Sequence, residues 1–517
     1  MAGFMNSGIV RNLRGVGVEP GIPRKLEKHA DRILAPTITE VREVRAATGA
    51  KVMVFGVFEE DRSPAKCGPN FKGKTGDSFV TATKSGYAVY VGLGKKDKFD
   101  EAAARKFGAT AVREAEKLKS TSLDLAVPLD AERTESIVLG AVLASYRYDQ
   151  KIGVPKGDEP TEVKQISLIT RANIRDAIAR GMKRADAQNT ARYFSDIDSD
   201  ALDAASYVIL LKLFAYKHSL QFDVLTHHDL MLMGREGIAT VGRGAAIPGA
   251  MVVLGNLDGG ASPLDVLVGK GVVFDSGGYS LKTPSDIMND MHMDMEGSAV
   301  VAGAMAAASK LYKGLNALAF LCIAQNAVGP NAVMPTAVIK IGDRTVQIMN
   351  TDAEGRLVMA DGISIGAELK PKQIVSISTL TGACMIATGV GMRAGLMTTD
   401  DMLRESLSKS GDRTGEKLQH FHIDDPYLRK VLAGGPADLV NLGPRFGGHM
   451  SAQVFLKEFA HYRNRGGKEV AVPYAGLDIA PVMNGDGALA EDPRFRGAKF
   501  ATGFGVQLLT NFLGRQR

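Results

Sequence analysis

The residues best placed to do chemistry are carboxylates. Asp352, Glu354 and Arg356 fall within five positions of one another in Asn350-Thr351-Asp352-Ala353-Glu354-Gly355-Arg356-Leu357. The apolar, alanine-bearing run that follows predicts a helix. Asp275 comes directly after the apolar run Gly271 to Phe274 and before Ser276-Gly277-Gly278. In an α/β chain that is where a strand ends and a tight turn lets backbone approach a ligand. Asp290 and Asp294 are four apart, and Asp294 opens an alanine-rich helix expected to reach about Leu311. Several acids gathered without histidine or thiolate make an oxygen-rich cage that suits hard or borderline divalent metals. Two ions sharing such a cage, roughly 3.5 to 4 Å apart, activate a water and stabilise a developing oxyanion. A structural reading competes. Asp294 can simply cap its helix, worth about 1 kcal/mol, and Asp352, Glu354 and Arg356 can form an N-cap with a surface ion pair. The local sequence leaves both readings open.

Other chemistries are poorly supported. Gly68-Pro69-Asn70-Phe71-Lys72-Gly73-Lys74-Thr75 matches the literal GxxxxGK[ST] phosphate-loop pattern. A phosphate loop needs an apolar strand before it and a helix after it, so that backbone N–H groups converge on the phosphates. Polar Glu59 to Lys66 precedes this segment and the β-patterned SFVTAT follows, so it reads as a surface turn. His227-His228 and His420-x-His422 lack the i, i+4 spacing that puts two imidazoles on one helix face, and neither HExxH nor GxSxG occurs. Cys67, Cys322 and Cys384 are odd in number and far apart, which fits a reducing compartment and no thiolate metal site.

These residues need a scaffold. At 517 residues and 45% hydrophobic content the chain can bury a large core. A charged fraction of 23% argues against a disordered chain. The most apolar segment, Ala205 to Tyr216, is cut by Lys212, and no apolar run reaches the roughly 18 residues of a membrane span. A net charge of +6 with no clustered basic stripe disfavours nucleic-acid binding. Met1 to Lys25 lacks a secretory apolar core, so a cytoplasmic chain is expected. Arg11 and Arg14, with no acid before Glu19, give that leader a weak likeness to an organellar transit segment.

From Lys51 to Leu93 the runs VMVFGVF, SFVTAT and YAVYVGLG alternate with turn-forming residues, and a helical pattern follows from Phe99 to Leu118. Ser136 to Ala144 and Gln165 to Ile169 read as further strands. Ala172 to Tyr193 reads as an amphipathic connecting helix. The expected organisation is therefore an N-terminal α/β domain over 1–170, a linker helix over 171–193, and a larger C-terminal α/β domain over 194–517. Apolar runs at Leu264 to Val268, Leu315 to Ala324, Ile374 to Ser378 and Val470 to Ile479, separated by alanine-rich helices, predict a mostly parallel sheet.

The motifs NTDAEGRL and VGKGVVFDSGG, Lys282 seven residues past Asp275, and TLTGA at Thr379 to Ala383 together resemble the leucyl aminopeptidase family of metallopeptidases. Weaker likeness extends to GGHMSAQVFLKEF and YAGLDIA near the C-terminus and to FKGKTGD and YVGLGK in the N-terminal half. The resemblance implies a mixed central sheet between helices in the catalytic domain. It implies release of N-terminal residues, apolar and preferably leucine, from peptides. Two divalent ions, zinc or manganese with magnesium or cobalt as alternatives, are implied, with ligands at Lys270, Asp275, Asp294, Asp352 and Glu354. Spacing alone does not nominate Lys270, whose amine must lose its proton to coordinate. Lys282 matches the lysine that polarises the scissile carbonyl. Arg356 matches the arginine that holds bicarbonate, the general base for a bridging water. Met291, Asn350, Thr379, Leu380 and Gly382 match positions that line the P1 side-chain pocket or hold substrate backbone. A homohexamer of two trimers is implied as well. Glu296, Tyr474 and Gly476 depart from the family pattern, where glycine, tryptophan and histidine are common.

Overall fold

The computed structural model describes residues 24–35, 39–61, 67, 70–126, 130–148, 161–260, 262–283, 287–495 and 499–515. The leader as far as residue 23, and Gly68 and Pro69 of the phosphate-loop-like segment, lie outside the described residues.

The N-terminal half builds one six-stranded sheet from β1 (Glu40–Val44), β2 (Val52–Phe58), β3 (Ser78–Thr83), β4 (Gly86–Gly94), β5 (Ser122–Ala126) and β6 (Gln165–Ile169). The order is β1-β6-β5-β2-β4-β3, and every pairing is parallel except β3 with β4. The three β-rich runs expected after Lys51 are β2, β3 and β4. The expected helix runs Glu101–Lys117, and the Asp100 side chain accepts from the Ala103 N–H at its start.

One expectation fails. Ser136 to Ala144 is helical, within Ala131–Ser145, and not a strand. An apolar run of this length can be a strand buried on both faces or a helix buried all round. The charged residues before it supply the remaining turns and Asp130 supplies the cap, accepting from the Arg133 N–H. The helix is wedged between Glu101–Lys117 and Arg175–Asp196. Glycines let the first pair touch backbone to backbone: a Cβ on Gly140 would lie 1.9 Å from the Arg105 carbonyl oxygen.

The connecting helix spans Arg175–Asp196. Its second half is buried by partners on both sides, the Ala131–Ser145 helix and the Glu296–Leu311 helix, so the expected exposed face is missing there.

The second sheet contains β7 (Gln221–Thr226), β8 (Ala250–Leu257), β9 (Asp265–Asp275) and β10 (Asn316–Asn326). Small strands β11 (Val338–Ile341) and β12 (Arg344–Gln347) form a side sheet with a later segment. The large sheet resumes with β13 (Gln373–Ser378), β14 (Ala394–Thr398) and β15 (Leu418–Phe421). β16 (Leu439–Val440) completes the side sheet, β17 (His461–Arg463) and β18 (Glu469–Ala471) form a hairpin, and β19 (Tyr474–Asp478) returns to the large sheet. The order of its eight strands is β15-β14-β19-β13-β9-β10-β8-β7. The centre, β19-β13-β9-β10, is parallel. Antiparallel pairs β7–β8, β8–β10 and β14–β19 make the whole sheet mixed. The run Val470 to Ile479 is two strands in different sheets, separated at Pro473, which has no N–H to give a ladder.

Two cores cover the two faces. Leu267 and Ile377 face the Glu296–Leu311 helix, while Val266, Val268 and Ile374 face Gly355–Glu368 and Gly448–Lys457. That alternation is the period of two expected of a sheet buried on both sides.

Candidate metal centre

Because the central strands are parallel, their carboxyl ends meet at one edge, and the candidate residues collect there. Asp275 is the last residue of β9. The chain then turns through Gly277 (φ +86°) and Gly278 (φ +63°), and the Gly277 N–H donates to Asp275 Oδ1 at 2.9 Å. Lys270 lies five residues back in β9 and is 2% exposed. Its chain runs over Gly355, where a Cβ would lie 2.5 Å from Lys270 Cε. Only glycine at 355 leaves that path open.

Neither acid group caps a helix through its side chains. The Glu296–Leu311 helix has Met295 at its N-cap and the Gly355–Glu368 helix has Glu354, and neither end has a side-chain cap hydrogen bond. Asp275, Asp294 and Glu354 instead bring carboxylate oxygens within 4.8 Å of one another, all three buried. Lys270 Nζ lies 2.6 Å from Asp294 Oδ2 and 2.9 Å from Glu354 Oε1, and donates to the Thr379 carbonyl at 3.2 Å. Lys282 Nζ lies 2.7 Å from Asp275 Oδ2 and also pairs with Asp352. Asp352 thus joins the cluster through Lys282, outside the three-carboxylate group.

Two ammonium groups therefore stand among four carboxylates. Burial raises the Glu354 carboxyl well above its ordinary range, reinforced by Asp275, and it raises Asp294 against the pull of Lys270. Asp352 is raised by burial and by Asp275. Burial pushes both lysines down, but the surrounding carboxylates, led by Asp294 for Lys270 and Asp275 for Lys282, hold them above the usual value. Glu354 Oε2 is buried with no hydrogen-bond partner. This excess of crowded negative charge with an orphaned oxygen fits divalent cations.

Arg356 is 7% exposed, and its Nε and Nη1 have no hydrogen-bond partner. Burial lowers its pKa to about 10, opposed by Glu354 and Asp478. A buried guanidinium with unused donors is a site for a planar oxyanion.

A cavity of about 610 Å³ opens over these groups. Met291, Asn350, Thr379, Leu380 and Gly382 all line it, together with the five candidate ligands, Lys282 and Arg356. Thr379 Oγ1 donates to Asp294 Oδ1 at 2.6 Å. A Cβ on Gly382 would meet nothing within 4 Å, so that wall is open space. Asp290 is not among the lining residues. The histidine pairs lie elsewhere: His227 and His228 open a short surface helix, and the rings of His420 and His422 meet edge to face.

Sequence reasoning missed the residues that hold the ligands. Asn326, the last residue of β10, donates through Nδ2 to Asp275 Oδ1 at 2.7 Å and to the Thr351 carbonyl at 3.0 Å. It ties the two ligand-bearing segments together. Asp478, the last residue of β19, accepts from the Leu380 N–H at 3.1 Å and from Thr381 Oγ1 at 2.7 Å, fixing the TLTG turn. Both follow apolar runs, the same signal that nominated Asp275. The departures are absorbed locally. Glu296 faces away from the cage and accepts from the Gly503 N–H at 2.7 Å, and burial raises its carboxyl well above the ordinary value. Tyr474 Oη lies 2.7 Å from Ser376 Oγ and donates to Gln453 Oε1 at 2.7 Å. That carboxamide fills the space beside Gly476, where a Cβ would lie 1.8 Å from Gln453 Oε1.

The α/β scaffold and its buried carboxylate cage define a metal-dependent hydrolase. Residues 189–510 match the cytosol aminopeptidase family, catalytic domain, and residues 57–151 match the N-terminal domain of that family. A probable cytosol aminopeptidase of Aquifex aeolicus (strain VF5) is 34% identical over 453 residues, covering 86% of this chain and 88% of that protein. One of Roseiflexus castenholzii is 30% identical over 490 residues, covering 90% and 96%. Among solved structures, the bottromycin maturation enzyme BotP in complex with Mn superposes with a TM-score of 0.79 at 29% identity, covering 90% of this chain and 100% of that one. The chain belongs to the cytosol aminopeptidase family and is a metallo-aminopeptidase acting on peptides.

Proposed function

We propose that the protein is a leucyl aminopeptidase whose five ligands, Lys270, Asp275, Asp294, Asp352 and Glu354, hold two divalent ions, zinc or manganese first, with magnesium or cobalt as substitutes. The convergence of Asp275, Asp294 and Glu354 within 4.8 Å, from three distant segments, carries this reading. An all-oxygen set plus one amine suits such ions once Lys270 gives up its proton. When bound, the ions supply an activated water and an anchor for the substrate's free α-amine, and bicarbonate supplies the base.

The chain's own residues do the rest. Lys282 Nζ, held beside Asp275 and Asp352, donates to the scissile carbonyl oxygen and stabilises the negative charge that develops there. Arg356 offers its unpartnered Nε and Nη1 to bicarbonate. Met291 and Leu380 give the P1 pocket apolar walls, Gly382 leaves it room, and Thr379 and Asn350 position substrate backbone. The domains divide at 1–170 and 194–517 around the helical linker, in keeping with the two family matches. The names of the relatives support a cytoplasmic enzyme, and the family likeness supports a homohexamer. No described helix is long and apolar enough to cross a membrane.

The test is hydrolysis of leucine p-nitroanilide by chelator-stripped enzyme with Mn²⁺, Zn²⁺, Co²⁺ or Mg²⁺ added back. Stripping is expected to abolish cleavage and at least one ion to restore it. Failure of every ion to restore cleavage removes the metal mechanism.

A further inference from the structure

Four cationic side chains line the cavity over the acid cage: Lys270, Lys282, Arg356 and Arg445. Three belong to the cage. Lys270 and Lys282 are paired with its carboxylates, and Arg356 is buried close to Glu354 and Asp478. Arg445 differs, being exposed and forming no hydrogen bond or ion pair among the described residues. The acids in the lining are the cage's own Asp275, Asp294, Asp352 and Glu354, so no separate counter-ion faces it there. The loop that carries Arg445 is tethered at both ends. Asn441 is 0% exposed and clamps the loop bearing Asp352: its Oδ1 accepts from the Met349 and Asn350 N–H groups at 2.7 and 3.2 Å, and its Nδ2 donates to the Asn350 and Ala353 carbonyls at 2.7 and 3.2 Å. Those four bonds use the full capacity of a carboxamide. At the other end Gly447 (φ +70°) leads into the Gly448–Lys457 helix, where a Cβ on Gly448 would lie 3.4 Å from Ala383 Cβ of the TLTGA turn. Between the two ends, a Cβ on Gly443 would lie 2.5 Å from Ser451 Oγ, and Pro444 has a fixed φ. Arg445 therefore stands on a bridge between the segment around Asn350 and the turn after Thr379, the two walls assigned to substrate backbone. Water solvates an exposed guanidinium readily, so its lack of a partner assigns nothing by itself; its place on that bridge does.

We propose that Arg445 binds the C-terminal carboxylate of short peptides, which makes di- and tripeptides the favoured substrates; the inference rests on the two-metal aminopeptidase reading of the acid cage. An aminopeptidase anchors its substrate by the N-terminal amine. The carboxylate is then the one charge that every short peptide carries at its far end, whatever its sequence. A guanidinium fork pairs with a carboxylate through two parallel hydrogen bonds. An acidic side chain just after the scissile bond offers the same chemistry, and the substrates below separate the two sources.

The experiment measures kcat/KM of the metal-loaded, full-length enzyme on Leu-Gly, Leu-Gly-Gly and Leu-Gly-Gly-Gly-Gly, each as free acid and as C-terminal amide, and on the amides of Leu-Asp and Leu-Asn. Arg445→Gln is expected to lower the acid-to-amide ratio by about three- to tenfold at the di- or tripeptide, mainly through KM, and to leave it unchanged at the pentapeptide. Arg445→Lys should keep part of the ratio, because the charge stays and the fork is lost. Each ratio is taken within one enzyme preparation, so a partly misfolded variant still reports it. A ratio that Arg445→Gln leaves unchanged at every length overturns the proposal, and so does a fall as large at the pentapeptide. An effect confined to Leu-Asp amide against Leu-Asn amide overturns it as well, by identifying a side-chain carboxylate as the group that is bound. Leucine p-nitroanilide tells the two levels of inference apart. Metal-dependent cleavage of it beside an unchanged ratio leaves the metal reading standing and this one lost, whereas no cleavage with any metal removes both.

Discussion

The two sheets share a parallel centre, yet their carboxyl ends are used differently. In the N-terminal unit the ends of β2 and β4 are closed by backbone. Gly94 N–H donates to the Gly73 carbonyl at 2.9 Å, Gly92 N–H donates to Asp77 at 2.8 Å, and Glu59 N–H reaches Gly94 at 3.0 Å. A Cβ on Gly92 would lie 2.0 Å from the Lys74 carbonyl oxygen. Gly73 and the Lys74 carbonyl of the phosphate-loop-like segment thus pack against a strand end, and the next element is β3 and not a helix. In the catalytic unit the corresponding ends of β9 and β10 carry Asp275 and Asn326, and the turn after β13 carries Thr379. The same topology makes a plug in one case and a charged cavity in the other. Position beyond a parallel strand permits a site, and side chains decide whether one exists.

The contrast can be broken most sharply at Lys282. Lys282→Ala should retain the metals, measured by elemental analysis, while kcat falls by roughly 10²- to 10³-fold, the scale of a lost oxyanion donor. Near-normal turnover would remove Lys282 from the mechanism. At the strand end that sequence reasoning overlooked, Asn326→Ala should weaken metal affinity or activity by about 10- to 100-fold, as loss of a ligand-orienting hydrogen bond does. A chelator competition titration reads this, and an unchanged affinity means that Asn326 only packs.

A gentler effect is expected at His218, buried at the end of the Ala204–His218 helix with its ring centroid 4.4 Å from that of Phe214. Burial lowers its pKa to about 4, opposed by Asp186. The unfolded chain binds this proton near 6.5, so stability is complete above that pH and declines as pH falls towards 4. His218→Phe should remove that part of the decline, at most about 3 kcal/mol between pH 7 and pH 4, read by denaturant melts. A parallel pH dependence in the variant would place the acid sensitivity elsewhere. The smallest effect belongs to the plugged sheet. Lys74→Ala should leave kcat/KM for leucine p-nitroanilide unchanged, and the parent protein should show no saturable ATP binding. Either change would reopen the nucleotide reading.

Much of this was legible in the residues. The strands from β2 to β4, the four sheet runs of the second half and the carboxylates at strand and helix starts follow from periodicity and from the rule for parallel sheets. The helix at Ser136 was hidden because an apolar run buried on every side has no telling period. The break at Pro473 had a visible cause that was outweighed by the apolar residues around it. Lys270 was nominated only by family likeness, since a lysine inside a strand has no chemistry until the fold surrounds it with Asp294 and Glu354. Asn326 and Asp478 stood where the strand-end rule points, but an amide and an acid each alone in sequence gave no cluster to notice.

The connecting helix has a consequence for the order of synthesis. Its buried polar groups are satisfied by the last part of the chain: Arg192 Nε donates to the Ala501 carbonyl at 2.9 Å, Gln188 Nε2 donates to the Thr502 carbonyl at 2.9 Å, and Asp196 Oδ1 accepts from the Ala501 N–H at 2.7 Å. A nascent chain that has emerged only through this helix can form the bonds from Arg192 Nη1 to the Leu143 carbonyl and from the Tyr146 hydroxyl to Asp196, but it still lacks the Ala501 and Thr502 backbone groups. The helix completes its buried bonding only once some three hundred further residues have been made.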